Sequence, residues 1–296
     1  MAASASQSAA PITRSVRVNG IAITYYEWRA KPGNQEPPLL IAHATGFHGR
    51  CYSAIAELFP DRRVIALDLR GHGRSEGEPV EHWRMFVDDV SAFLAQMHIR
   101  RAVGVGHSMG AHVLLQCASE NPEAFSRLVL FDPVIMAPAY YQPAGDEENT
   151  SIGNPTIRRK RDFPSPEAMM ERFATRDPYD LFDDRVFEDY CRYGLTPREG
   201  GDYELACSPE MEASVYASSR SNAGIHEAAA KVTVPVLVVR AQQGLKDGGF
   251  KNSPTWPGLA GIIPQGTDLD RSDMTHFHPF QDPADAARII AEFEAR

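Results

Sequence analysis

The chain has 296 residues, and its 30 Lys and Arg against 39 Asp and Glu give a formal net charge of −9. That length holds one large α/β domain or two ordinary ones, and 43% hydrophobic with 23% charged residues is an ordinary globular composition. The acidic balance excludes an electrostatic nucleic-acid binder, and no apolar run approaches the ~20 residues of a membrane span.

Residues 1–11 are rich in Ala and Ser without a basic start or an apolar centre, so they read as a disordered tail and not as a secretory signal. Two β-rich runs, 15–18 and 21–28, flank Asn19-Gly20, a hairpin signal. Residues 39–43, 64–68, 102–106 and 128–132 are short and almost wholly apolar, the pattern of strands buried on both faces of a parallel sheet. Helices are predicted between them over 52–59, 81–97 and 109–119. In the second, Trp83, Phe86, Val87, Val90, Phe93 and Leu94 recur at amphipathic spacing. Strand–helix alternation of this kind predicts an α/β fold.

From residue 135 to 229 the composition turns polar and irregular, with helical segments at 166–174 and 209–218. Strand patterning returns at 232–240 and 259–263, and a last helix is predicted over 283–295. The expected organisation is one sheet domain, 12–134 with 230–296, carrying a helical insertion over 135–229.

The chemistry begins at Gly104-Val105-Gly106-His107-Ser108-Met109-Gly110. It follows an apolar strand and opens a helix, the setting of a G-x-S-x-G nucleophile elbow. The glycines two before and two after Ser108 suit a turn too tight for side chains, and the helix N-terminus behind it favours developing negative charge. A phosphate-binding turn fails on spacing: the glycines are one residue too long for G-x-G-x-x-G, and no G-x-x-x-x-G-K-[ST] occurs. Cys51, Cys117, Cys191 and Cys207 are scattered and form no C-x-x-C, which suits a reducing compartment. The ten histidines show no metal-binding spacing, so no metal is expected. The run Arg158-Arg159-Lys160-Arg161 reads as a solvated face. Tyr140, Tyr141, Phe182, Phe187, Tyr190 and Tyr193 would either line an acyl pocket or pack the insertion against the core.

His43-Ala44-Thr45-Gly46-Phe47, Asp68-Leu69-Arg70-Gly71-His72-Gly73-Arg74-Ser75, Gly106-His107-Ser108-Met109-Gly110 and His276-Phe277-His278-Pro279-Phe280-Gln281-Asp282-Pro283 occur in the order seen in the α/β-hydrolase superfamily. The chain resembles its cap-bearing members. The resemblance implies a mostly parallel eight-stranded sheet flanked by helices, with a helical cap, here 135–229, inserted after strand 6. It also implies a histidine base near the C-terminus; His276 fits the pattern, with His278 as its rival. The triad acid usually follows the seventh strand, where Asp247 would serve if the loop were longer, whereas some relatives place it after the sixth. Asp132 is taken over Asp247 as that acid, since a carboxylate must hold the imidazole tautomer and stabilise the imidazolium. The oxyanion hole would combine the amides of Met109 and Thr45, with Gly46-Phe47 offering a second register. A serine at the elbow excludes epoxide hydrolases and haloalkane dehalogenases, which need a carboxylate there.

The function expected is that of a serine carboxylic-ester hydrolase, an esterase or lactonase, acting on a small to medium, largely apolar substrate. The alternatives are C–C bond hydrolysis of a diketone-type ring-cleavage product, and a non-catalytic ligand-binding sensor on a hydrolase scaffold. No cofactor, nucleic-acid or membrane partner is expected, and the chain is read as a cytoplasmic monomer or homodimer.

Overall fold

Burial on both faces explains the apolar runs. The computed structural model describes residues 10–141, 155–246 and 249–296. The hairpin strands are β1 (Ile12–Val18) and β2 (Ile21–Trp28), followed by β3 (Leu39–Ala42), α1 (Ser53–Glu57), β4 (Val64–Leu67) and α2 (Arg84–Gln96). Then come β5 (Ala102–His107), α3 (Met109–Glu120) and β6 (Phe125–Phe131). The segment beyond β6 carries β7 (Asp162–Phe163), α4 (Pro166–Phe173), α5 (Asp184–Tyr193), β8 (Leu195–Pro197), β9 (Tyr203–Leu205), α6 (Pro209–Ala217) and α7 (Ile225–Ala229). The chain closes with β10 (Val236–Ala241), α8 (Leu259–Ile262), β11 (Gly266–Arg271), α9 (His278–Gln281) and α10 (Pro283–Glu294).

Eight strands form one sheet in the order β1-β2-β4-β3-β5-β6-β10-β11. Only β2 runs against its neighbours; β4, β3, β5, β6, β10 and β11 pair in parallel. Alternate residues of β3 face opposite layers: Leu40 and Ala42 belong to the apolar cluster that holds Trp83, Phe86 and Phe93, while Leu39 and Ile41 belong to the one that holds Tyr52, Ile55 and Ile290. Helices thus cover both faces, as a parallel sheet requires.

Helix starts in the inserted segment are written in the sequence. Ser165, Asp183 and Ser208 accept hydrogen bonds from the first free amides of α4, α5 and α6, and Pro166 and Pro209 occupy first-turn positions. Two expectations need correction. The strand expected at 259–263 is helix α8, and the strand is β11, a few residues later. A short apolar run cannot be assigned by periodicity alone, and β11 is an edge strand of polar, part-exposed residues that lacks the apolar signature. The segment expected to be helical also holds a small antiparallel sheet, β7-β9-β8, whose strands of two or three residues are too short to show a period.

This segment is joined to the sheet layer. Asp183 N–H donates to Phe280 O at 2.8 Å, and Arg74 Nη2 donates to Leu195 O at 2.7 Å. Phe182 and Tyr190 pack against Phe47, and Phe182 also meets Phe277 and Phe280.

Candidate active site

The turn between β5 and α3 leaves no room for side chains beside Ser108. A Cβ on Gly106 would lie 2.4 Å from Ala111 Cα, and one on Gly110 would lie 2.2 Å from Ala42 O. Ser108 itself has φ +56° and ψ −116°, a left-handed conformation unfavourable for a residue with a side chain. Such strain costs about 1–3 kcal/mol and persists only where the surroundings fix it. Here Ser108 N–H donates to Phe131 O at 2.9 Å, and Gly110 N–H to His43 O at 3.1 Å. The amide of Met109 opens α3, where no intrahelical acceptor is within reach.

The structure brings Ser108, His276 and Asp132 into one hydrogen-bonded chain. Ser108 Oγ lies 3.0 Å from His276 Nε2, and His276 Nδ1 lies 2.5 Å from Asp132 Oδ2. All three are buried. The other carboxylate oxygen of Asp132 accepts from Ser253 Oγ at 2.5 Å, Thr255 Oγ1 at 3.0 Å and Ala241 N at 3.1 Å. Burial alone would push this carboxyl up, but the hydrogen bonds from His276, Ser253 and Ala241 outweigh it and hold it below the usual carboxylate range. Asp132 also has a left-handed backbone, φ +44°, which its own amide fixes by donating to Val239 O at 2.7 Å.

His278, the rival base, turns away. Its Nε2 lies 2.8 Å from Asp285 Oδ2, and its ring packs edge-on against Phe131. Asp247 lies outside the described residues.

A second layer of hydrogen bonds, which motif spacing did not reveal, connects the loop after β3 to His276. Ala44 N–H donates to the Tyr52 hydroxyl at 3.3 Å, and that hydroxyl lies 2.8 Å from His107 Nδ1. His107 Nε2 lies 2.8 Å from His276 O; a carbonyl only accepts, so Nε2 carries the proton and Nδ1 accepts from Tyr52. Burial and the neighbouring His276 push His107 down to about 3, which keeps it neutral. On the loop itself, Phe47 N–H is committed to Ala44 O at 3.1 Å, which disfavours the second register. Thr45 is buried beside the elbow, its Oγ1 3.6 Å from Met109 Sδ. His43 braces the same loop: its Nε2 accepts from Leu69 N at 2.8 Å, so Nδ1 donates to Ala44 O at 2.8 Å.

The Asp68–Ser75 motif is structural. Asp68 accepts from Gly49 N, Arg74 N and the Tyr26 hydroxyl, and burial, only partly offset by these bonds, pushes it up to about 6.

Ser108 and His276 open on a cavity of about 510 Å³ walled largely by apolar groups, among them Phe47, Trp83, Val134, Met136 and Phe277. The inserted segment supplies Arg159, Tyr179, Tyr190, Glu212 and Tyr216 to the same wall. The solvated reading of the basic run therefore holds for Arg158, Lys160 and Arg161, which are exposed, and fails for Arg159. Tyr190 both packs the core and lines the cavity, whereas Tyr140 is exposed. Among the described residues, no group of three or more His, Cys, Asp or Glu is placed to hold a metal ion, and no helix is long and apolar enough to cross a membrane.

Fold and site together define a class. The chain matches the alpha/beta hydrolase family over residues 39–289 and belongs to it. Among curated proteins it is similar to the sn-1-specific diacylglycerol lipase ABHD11 of Danio rerio, with 33% identity over 100 residues, 32% of this chain and 31% of that protein. It is also similar to the Homo sapiens monoglyceride lipase, with 32% identity over 114 residues, 36% of this chain and 37% of that one. These matches span only about a third of the length of either relative. Among solved structures, E-2-(acetamidomethylene)succinate hydrolase superposes with a TM-score of 0.77 at 20% identity, covering 97% of this chain and all (100%) of that one. The enol-lactonase from Burkholderia xenovorans LB400 superposes with a TM-score of 0.66 at 18% identity, covering 96% of this chain and 100% of that one. At such identities the likeness is one of fold.

Proposed function

We propose that this protein is a serine hydrolase of carboxylic esters or lactones, acting through an acyl-enzyme on small to medium substrates with a largely apolar body. The observation that carries the reading is the unbroken chain Asp132–His276–Ser108 at the floor of an apolar cavity. In this reading Ser108 is the nucleophile. His276 Nε2 takes the serine proton as Oγ attacks the acyl carbon, and Asp132 fixes the tautomer and stabilises the imidazolium. The amides of Met109 and Thr45 hold the oxyanion. His276 then protonates the leaving alcohol, and water cleaves the acyl-enzyme by the same route. The stretch 135–229 serves as the cap, and the lipase relatives support ester chemistry.

Turnover of a 4-nitrophenyl ester series by the wild type and Ser108→Ala tests the reading. The variant should lose on the order of 10⁴-fold or more in kcat/KM. Full retention of turnover in Ser108→Ala would sink the assignment.

A further inference from the structure

The cavity wall has a polar corner whose hydrogen bonds do not balance. Arg159 Nη1 donates to Glu212 Oε2, while Nη2 donates to the hydroxyls of Tyr179 at 3.2 Å and Tyr190 at 2.8 Å. The two hydroxyls lie 3.1 Å apart, so one donates to the other. A guanidinium only donates, and each phenol carries one proton. The second phenol proton therefore has no acceptor within the cluster. Burial pushes both phenols up, so both keep their protons and remain donors.

The corner is close to the reacting centre. Arg159, Tyr179, Tyr190 and Glu212 line the same cavity as Ser108 and His276. A Cβ on Gly46, the residue after Thr45, would lie 2.8 Å from Glu212 Oε1 and 3.6 Å from Arg159 Nη1. A substrate carbonyl held between Thr45 and Ser108 therefore has the cluster beside it. Glu212 balances the charge of Arg159, so the corner offers hydrogen-bond donors without net positive charge. An anion bound there would face the Glu212 carboxylate, whereas a neutral acceptor would not.

We propose that Arg159, Tyr179 and Tyr190 form a specificity subsite for a second, neutral acceptor oxygen of the substrate, such as a ketone or amide carbonyl apart from the scissile ester. The proposal rests on the hydrolase reading above and narrows its substrate from any largely apolar ester or lactone to one with a polar handle. A purely bracing role for the cluster would set no preference among substrates.

The test uses esters of three acids of equal length, ending in a methyl, a methyl ketone or a carboxylate, and a parallel series with these groups in the alcohol portion, both followed by acid release. In one of the series the ketone should exceed the alkyl ester by about tenfold in kcat/KM, the scale of one or two neutral hydrogen bonds. That ratio should fall to about one in the double variant Tyr179→Phe, Tyr190→Phe, which keeps the Arg159–Glu212 pair, and to an intermediate value in Tyr179→Phe alone. No ketone preference in either series, or a preference that the variants leave intact, overturns the proposal. So does preference for the carboxylate, which would make the corner an anion site. If the wild type turns over no ester, the hydrolase reading fails by itself. The subsite is then judged by calorimetric binding of the matching N-phenyl amides, in which the ketone should keep an advantage that the double variant abolishes; no such advantage overturns it.

Discussion

Asp132 sits with a left-handed backbone at the end of β6, and the hydrogen bonds around it hold the carboxylate in one orientation. Ser253 is the firmer of its two hydroxyl partners. The Ser253 Oγ accepts from Thr255 N at 3.2 Å, which aims its own proton at Asp132, whereas Thr255 Oγ1 divides its single proton between Asp132 and Pro133 O. If the proposed hydrolysis holds, Ser253→Ala should therefore lower kcat about tenfold with KM held within about twofold, since the lost bond orients Asp132 against His276 and does not touch substrate. Ser253→Thr should restore most of the loss, and a KM effect with kcat intact would refute the positioning role. Asp132→Asn removes the charge and tautomer control and should cost on the order of 10⁴-fold in kcat. These supporting hydroxyls were not legible in the sequence: Ser253 and Thr255 lie in a loop without a period, and no spacing announces a partner more than 100 positions away. The tight turn at Ser108 was legible because glycine spacing is a local steric requirement. Arg159 was misread because a run of four basic residues does not reveal which one turns inward.

At the scale of elements, the elbow works through close approach of α3 to β3. Gly110→Ala would drive a methyl into Ala42 O, so α3 must move off the sheet. A loss of stability of about 1–3 kcal/mol is expected, as for overpacked cores, read as a lower urea midpoint. A midpoint equal to wild type would mean that the turn relaxes without cost. The relay from Ala44 through Tyr52 and His107 to His276 O links three elements that motif reading treated separately. Tyr52→Phe leaves a buried imidazole nitrogen and a backbone amide without partners, which should cost about 1–3 kcal/mol of stability in the same urea titration. Long, periodic elements such as α2 and the apolar strands announced themselves because burial imposes the period. Edge strand β11, helix α8 and the two- and three-residue strands of the inserted segment did not, because neither edge exposure nor such brevity leaves a pattern.

Across the whole molecule, buried neutral histidines set the acid response. Burial pushes His48 and His107 down to about 3 and His72 and His112 down to about 4, and His43 lies well below its ordinary value. An unfolded histidine titrates near 6.5. Below about pH 6.5 the unfolded chain takes up protons that the folded chain refuses, so stability falls by about 1.4 kcal/mol per pH unit for each histidine, down to about pH 4. Asp68 acts with the opposite sign. Held at about 6 when folded, it keeps its proton between about pH 6 and pH 4 where the unfolded carboxyl has lost it, which offsets about one histidine. Urea midpoints should be level from pH 8 to 7 and fall steeply from pH 6.5 to 5. A flat profile across that range would show that the histidines are not held neutral.

The placement of Asp132 has a thermal consequence. Ser108 and Asp132 end neighbouring strands, and Ser108 N–H bonds directly to Phe131 O, so sheet geometry fixes their separation. His276 alone rides on a loop, anchored by its N–H to Lys251 O at 2.9 Å and by its carbonyl to His107. Warming loosens loops before it melts a buried sheet. The site should therefore fall silent on heating while the sheet is still intact, and recover at once on cooling, with His276 as the part that departs and returns.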